Sequence, residues 1–225
     1  MEDKPRLLKR HFDREMQELK NRILRMGGTV EDLIARAIEA LQSRDRFLFT
    51  EAQRIESEID SEEVRIEEEC LKLIALYQPV AGDLRFIAAV LKINAELERM
   101  GDLAAHLSER ARDLAAPGGL SAPAELRRMG SVVQGMVRDS LESLIHQDAE
   151  QAQKVLHADN EVDDLHRHMF DFVAAGVRAR PEQAEAWLQL LTASRYLERI
   201  ADSATNIAED VYYLVEGEII RHRAD

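Results

Sequence analysis

The line Leu97-Glu98-Arg99-Met100-Gly101-Asp102 returns one hundred residues later as Leu197-Glu198-Arg199-Ile200-Ala201-Asp202. The agreement extends beyond the motif: Leu91 falls on Leu191, Ala104 on Ala204 and Glu109 on Glu209. Earlier in each half the offset is 103, where Met26, Val30, Leu33, Leu41, Glu56, Ile59 and Asp60 meet Met129, Val133, Met136, Leu144, Asp159, Val162 and Asp163. Solenoid repeats run to roughly 20–50 residues, so a period of about a hundred is the duplication of a whole subdomain. Chemistry carried by the repeated residues therefore occurs twice.

The repeated unit is helical. Phe86, Val90, Ile93, Leu97, Met100, Ala104, Leu107, Ala111 and Leu114 alternate spacings of four and three, and Leu190, Ala193, Leu197, Ile200, Ala204, Ile207, Val211 and Leu214 do the same. That rhythm is the seam of a helical bundle. A first helix carries Phe12, Met16, Leu19, Ile23, Met26, Val30, Leu33, Ala37 and Leu41, with Gly27-Gly28 read as a bend or a frayed turn. Asp45 and Asp148 read as N-caps, Asp148 with Gln151 in capping-box spacing. Pro79 and Gly82 break the second helix from the third, Pro181-Glu182 opens the last one, and the only linker is the Ala-, Gly- and Pro-rich stretch 115–123. The expectation is all-α: six long helices in two pseudo-symmetric three-helix bundles, residues 1–116 and 123–218. The slip from 103 to 100 predicts a shorter connection around Arg180-Pro181 than its counterpart in the first half.

Composition narrows the function. A formal net charge of −13 argues against nucleic acid, which needs a basic surface to displace counterions. The single Cys70 supplies no disulfide framework, the start Met1-Glu2-Asp3-Lys4-Pro5-Arg6 has no apolar signal segment, and no stretch is long enough to span a membrane. These features point to a reducing, cytoplasmic setting.

Acid-x-x-x-Asp pairs occur at Glu56/Asp60, Glu98/Asp102, Asp159/Asp163 and Glu198/Asp202. A chain with 43 acids yields such pairs by chance, and a fifth stands at Glu109/Asp113. Placement says more than number: the first four are the pairs that the duplication aligns, one on the second and one on the third helix of each half. Residues four apart share a helix face, so each pair is a two-carboxylate claw. Converging carboxylates need a cation, protonation or arginine cover, which Arg99 and Arg199 within the motifs are placed to give. A metal site and a solvated acidic face both fit this pattern. All-oxygen ligation suits hard or borderline cations such as Mg, Mn, Fe or Zn. His106 and His166 have no histidine counterpart in the other half and read as surface residues, and Trp187 and Tyr196 read as packing residues. The Glu-x-x-His signature of ferritin-like di-iron enzymes is absent, leaving a di-metal carboxylate enzyme as the alternative to a binding protein.

With Leu97–Glu109, Tyr196–Glu209, Asp83-Leu84-Arg85 and Lys92, the chain resembles the PhoU family over essentially its whole length. The resemblance implies two three-helix bundles and multinuclear iron or zinc clusters, or other divalent cations, at the paired acids. Carried onto this chain, one cluster uses Glu56, Asp60, Glu98 and Asp102 and the other Asp159, Asp163, Glu198 and Asp202, with Glu109 and Glu209 as additions. It also implies a non-enzymatic negative regulator of the phosphate-starvation response. Such a regulator touches the ATPase subunit of the phosphate ABC transporter and the sensor histidine kinase. It reaches the membrane only through those partners, and a homodimer is compatible with it. Ala105-His106-Leu107-Ser108 against Thr205-Asn206-Ile207-Ala208 is a departure between the halves that would make the two sites unequal.

Overall fold

A computed structural model describes residues 3–43, 47–116 and 118–218. They form six helices, α1 (Asp3–Ser43), α2 (Phe47–Tyr77), α3 (Ala81–Ala115), α4 (Ala124–His146), α5 (Ala149–Ala179) and α6 (Ala184–Glu216), with a 3-10 turn at Pro181–Gln183, and no strand among them. Every seam residue of α3 from Phe86 to Leu114 is buried, as is the α6 seam from Leu190 to Val211. No helix among the described residues is long and apolar enough to cross a membrane.

The breaks have local causes. Asp148 caps α5 by accepting a hydrogen bond from the Gln151 backbone N–H at 3.0 Å. The reciprocal half of the capping box is missing, because the Asp148 backbone N–H donates to the Ser143 carbonyl at 3.0 Å, while the Gln151 amide donates to Glu142. Asp45 lies outside the described residues. Three residues, Gln78 to Val80, separate α2 from α3, whereas Arg180 alone precedes the 3-10 turn that leads into α6.

α2 packs on α1 and α3 and on no other helix, and α5 packs on α4, α6 and the 3-10 turn. Each half is thus a three-helix bundle, and the halves join where α3 lies along α6 and α1 along α4. The sequence reading separates the bundles at the linker; in the folded chain their buried side chains form one continuous core. α1, α3, α6 and α4 make a central ring, with α2 and α5 on its outside.

α1 runs unbroken through Gly27-Gly28, so no frayed turn interrupts it there. Gly27 is there for closeness: a Cβ on it would sit 2.8 Å from Leu141 Cδ2 on α4. Gly130 of α4 faces α1 in the same way, 3.0 Å from Ile38 Cγ2. Adding 103 turns Gly27 into Gly130 and Ile38 into Leu141, so the two contacts are one contact made twice about a pseudo-twofold axis. The α3–α6 join repeats the pattern at an offset of 100: Asn206 Nδ2 donates to Glu96 Oε1 at 3.0 Å, and the equivalent His106 and Tyr196 stack with ring centroids 5.6 Å apart.

Candidate metal centre

The outer helix of each half lays its acid pair against the pair on the third helix. In the first half Glu56 and Asp60 of α2 meet Asp102 of α3, with one oxygen of each within 4.8 Å of the others. Gly101 helps to bring the helices together there, since a Cβ on it would lie 3.1 Å from Ile59 Cδ1, the neighbour of Asp60. Burial raises the Glu56 carboxyl above its usual range, followed by repulsion from Asp60 and Asp102. Asp60 is raised by burial and Asp102, and Glu98 by burial, Asp102 and Asp60. Glu109 also acts on Glu56, while its own carboxylate is 3.2 Å from Arg110 Nη2. The strongest influences on Glu56, Asp60 and Glu98 include no arginine or lysine.

The second half is built on the same plan with different charge balance. Asp159 is pushed up to about 6, by burial first and then by Asp163, Asp202 and Glu198. Glu198 and Asp202 are raised by burial too, but arginines oppose the rise: Arg195 and Arg199 at Glu198, and Arg195, Arg99 and Arg199 at Asp202. Arg195 Nη1 lies 3.0 Å from Glu198 Oε1, while Glu198 Oε2 is buried without a hydrogen-bond partner. Among the described residues, Glu56, Asp60 and Asp102 are the only set of three or more metal-ligating side chains that comes within 4.8 Å. Glu209, half-buried on α6, is not among the groups that act on Asp159.

Arginine thus acts on Glu198 and Asp202 of the second set and on none of Glu56, Asp60 and Glu98, and the closest of these arginines, Arg195, is a residue that sequence reasoning did not single out. The signal was present, because Ala95 stands at the equivalent position of the first half. His166 is half-buried rather than a surface histidine, with Nδ1 3.0 Å from Ser194 Oγ. Ser194 spends its own hydrogen on the Leu191 carbonyl at 2.8 Å, so the imidazole donates from Nδ1 and keeps a lone pair on Nε2. Burial and Arg195 lower its pKa, favouring this neutral form. His106 is exposed as expected, stacked on Tyr196. Trp187 is a core residue, edge-on to Phe172 with centroids 5.5 Å apart. Cys70 is buried and its thiol is pushed up to about 12 by burial, then by Glu69 and Glu67, which leaves it neutral and unreactive.

The carboxylates fit a divalent cation chemically: they are oxygen donors, they converge, and no arginine or lysine is among the groups acting on Glu56, Asp60 or Glu98. An all-α chain made by duplication, with an acidic claw between the second and third helices of each half, defines a narrow class. The chain belongs to the PhoU family, whose PhoU domain matches residues 23–111 and again 126–211. It is 40% identical over 210 residues to the phosphate-specific transport system accessory protein PhoU homolog of Aquifex aeolicus (strain VF5), covering 93% of this chain and 95% of that one. The crystal structure of PhoU from Pseudomonas aeruginosa matches with a TM-score of 0.88 at 36% identity, over 92% of this chain and 100% of that one. The phosphate transport system regulatory protein PhoU from Streptococcus pneumoniae matches with a TM-score of 0.85 at 29% identity, over 93% and 99%.

Proposed function

We propose that this protein is a cytoplasmic accessory protein of the high-affinity phosphate ABC transporter and a negative regulator of the phosphate-starvation response. It acts by contact with the transporter ATPase subunit and the sensor histidine kinase rather than by catalysis. The observation that carries this reading is the near full-length likeness to accessory proteins of phosphate-specific transport, spanning both repeated halves. The carboxylates supply the second part of the proposal. Glu56, Asp60, Glu98 and Asp102, with Glu109 at the edge, would hold iron, zinc or another divalent cation, and Asp159, Asp163, Glu198 and Asp202 would form the weaker counterpart near Glu209. A bound cation there would neutralise the repelling acids and clamp each outer helix to the central ring. The protein's own contribution is to hold those acids in a partly buried site where their repulsion favours a cation.

Deleting the gene is expected to leave the phosphate-starvation response switched on in phosphate-rich medium. Normal repression in the deletion strain would count against the regulatory role. Oxygen consumption or redox turnover by iron-loaded protein would instead favour the di-metal enzyme.

A further inference from the structure

A groove of about 730 Å³ runs between α1 and α2, and none of the candidate metal-site acids lines it. Arg22, Arg25, Arg54 and Arg65 face it, with the hydroxyls of Thr29 and Ser57 beside them. Four guanidinium groups in one groove run against the grain of a chain whose net charge is −13. Two carboxylates share the lining. Glu58 is held by Arg54 along α2, and Glu62 is held by Arg22 at 3.0 Å and Arg65 at 3.4 Å. Arg22 is also held by Glu69 at 2.9 Å, so the arginines the groove can offer a ligand are Arg25, Arg54 and Arg65. Arg25 is the unengaged one, with no ion pair or side-chain hydrogen bond among the described residues.

The second half shows what duplication alone would supply. Residues Arg25 and Glu58 correspond to Arg128 and Glu161, and those two pair across α4 and α5 at 2.7 Å. In the first half Arg54 takes Glu58 instead, which leaves Arg25 open. Arg22, Arg54 and Arg65 correspond to Glu125, His157 and His168, so this concentration of arginine belongs to the first half only. Guanidinium forks match the paired oxygens of a phosphoryl group, and hydroxyls add single donors. Thr29 Oγ1 and Ser57 Oγ now donate to helix carbonyls at 3.1 and 3.2 Å, long bonds at a solvent-facing groove that a charged oxygen would outbid.

We infer that this groove binds a phosphoryl dianion through Arg25, Arg54 and Arg65, with Thr29 and Ser57 as supporting donors. Arg54 and Arg65 are largely exposed and held by local ion pairs along α2, so with Arg25 they can turn three guanidinium forks towards it. Its source is either inorganic phosphate or a phosphorylated side chain of a protein, and the site is independent of the carboxylate clusters.

Calorimetric titration of the full chain, stripped of metal by chelation, tests this. The titrants are inorganic phosphate, a phosphoserine peptide and the same peptide unphosphorylated. Saturable binding of phosphate is expected if the free ion is the ligand, and of the phosphopeptide alone if a phosphoprotein is. The double variant R25A/R54A should weaken that binding at least tenfold while its thermal melt by circular dichroism stays unchanged. Glu58→Gln, which releases Arg54, should tighten it. Binding of neither phosphorylated titrant, or binding that the double variant leaves untouched, overturns the proposal. Because the protein is stripped of metal, either result is separate from the fate of the carboxylate sites.

Discussion

Arg195 stands where the first half has Ala95, and its guanidinium lies 3.0 Å from the Glu198 carboxylate. A fixed cation at that distance competes with any metal for the same oxygens, so the two sites should fill in two steps, the first half ahead of the second. Elemental analysis after dialysis should show Asp102→Asn removing the tighter-bound metal and Asp202→Asn the weaker. Arg195→Ala should bring the second site towards the first. Equal occupancy of both sites in every variant would leave the acids as a solvated face. Protons compete as well. Asp159 is pushed up to about 6, whereas in an unfolded chain an aspartate titrates near 3.9. The folded protein therefore holds that proton more tightly. The stabilisation is complete at acid pH and is lost as pH rises through about 6. Metal-free protein should show a smaller fall in melting temperature between pH 5 and 7 in Asp159→Asn than in the parent. His166, whose lowered pKa works in the opposite sense, is common to both proteins and drops out of the comparison. The acids were legible because the duplication aligned them. Arg195 was not, because a search for matches passes over the positions where the halves differ.

Gly27 and Gly28 sit side by side in one helix with opposite roles. A Cβ at Gly28 meets nothing within 4 Å, so Gly28→Ala should stabilise the protein by about 0.5–1 kcal/mol through the backbone entropy that glycine loses on folding. A Cβ at Gly27 would stand 2.8 Å from Leu141 Cδ2, so Gly27→Ala forces that side chain to move and should cost about 1–3 kcal/mol from overpacking, less the same helix gain. Urea denaturation distinguishes the two, and equal effects would mean that α1 and α4 do not approach closely at Gly27. The Asp148 cap, the Pro79 break and the short Arg180 connection could be read from the sequence because each acts on its own backbone. A glycine that serves a neighbouring helix looks the same as one that bends its own. Here only the repeat distinguishes them, through the paired match of Gly27 with Gly130 and Ile38 with Leu141.

At the scale of the whole chain, the helices, their order and the duplication follow from periodicity, but the fusion of the halves does not. A seam reports one buried stripe, whereas α6 also buries Ser194, Ala201, Ser203, Ala208 and Asp210, which all lie off it. Small and polar residues of this kind read as gaps in a hydrophobic pattern. Neighbouring helices explain two of them: Ser194 meets His166 of α5 at 3.0 Å, and Asp210, almost wholly buried, lies 3.1 Å from Lys92 Nζ of α3 across the join. Since the core is continuous through that join, cutting the chain in the linker would expose one apolar face on each fragment. Residues 1–116 and 123–218, expressed separately, should therefore not behave as stable monomers. Each has a ready remedy, because the missing partner of α3 is its own repeat: a fragment can pair with a second copy of itself about a true twofold where the intact chain has a pseudo-twofold. Sedimentation should find fragment dimers, with melting temperatures that rise with concentration and fall below that of the full chain. Mixing the two fragments should restore a single cooperative melt, since Lys92 and Asp210 then meet their proper partners. Two monomeric fragments that each melt at the temperature of the intact protein would mean that the α3–α6 contact is a seam between independent bundles and contributes nothing to holding either one together.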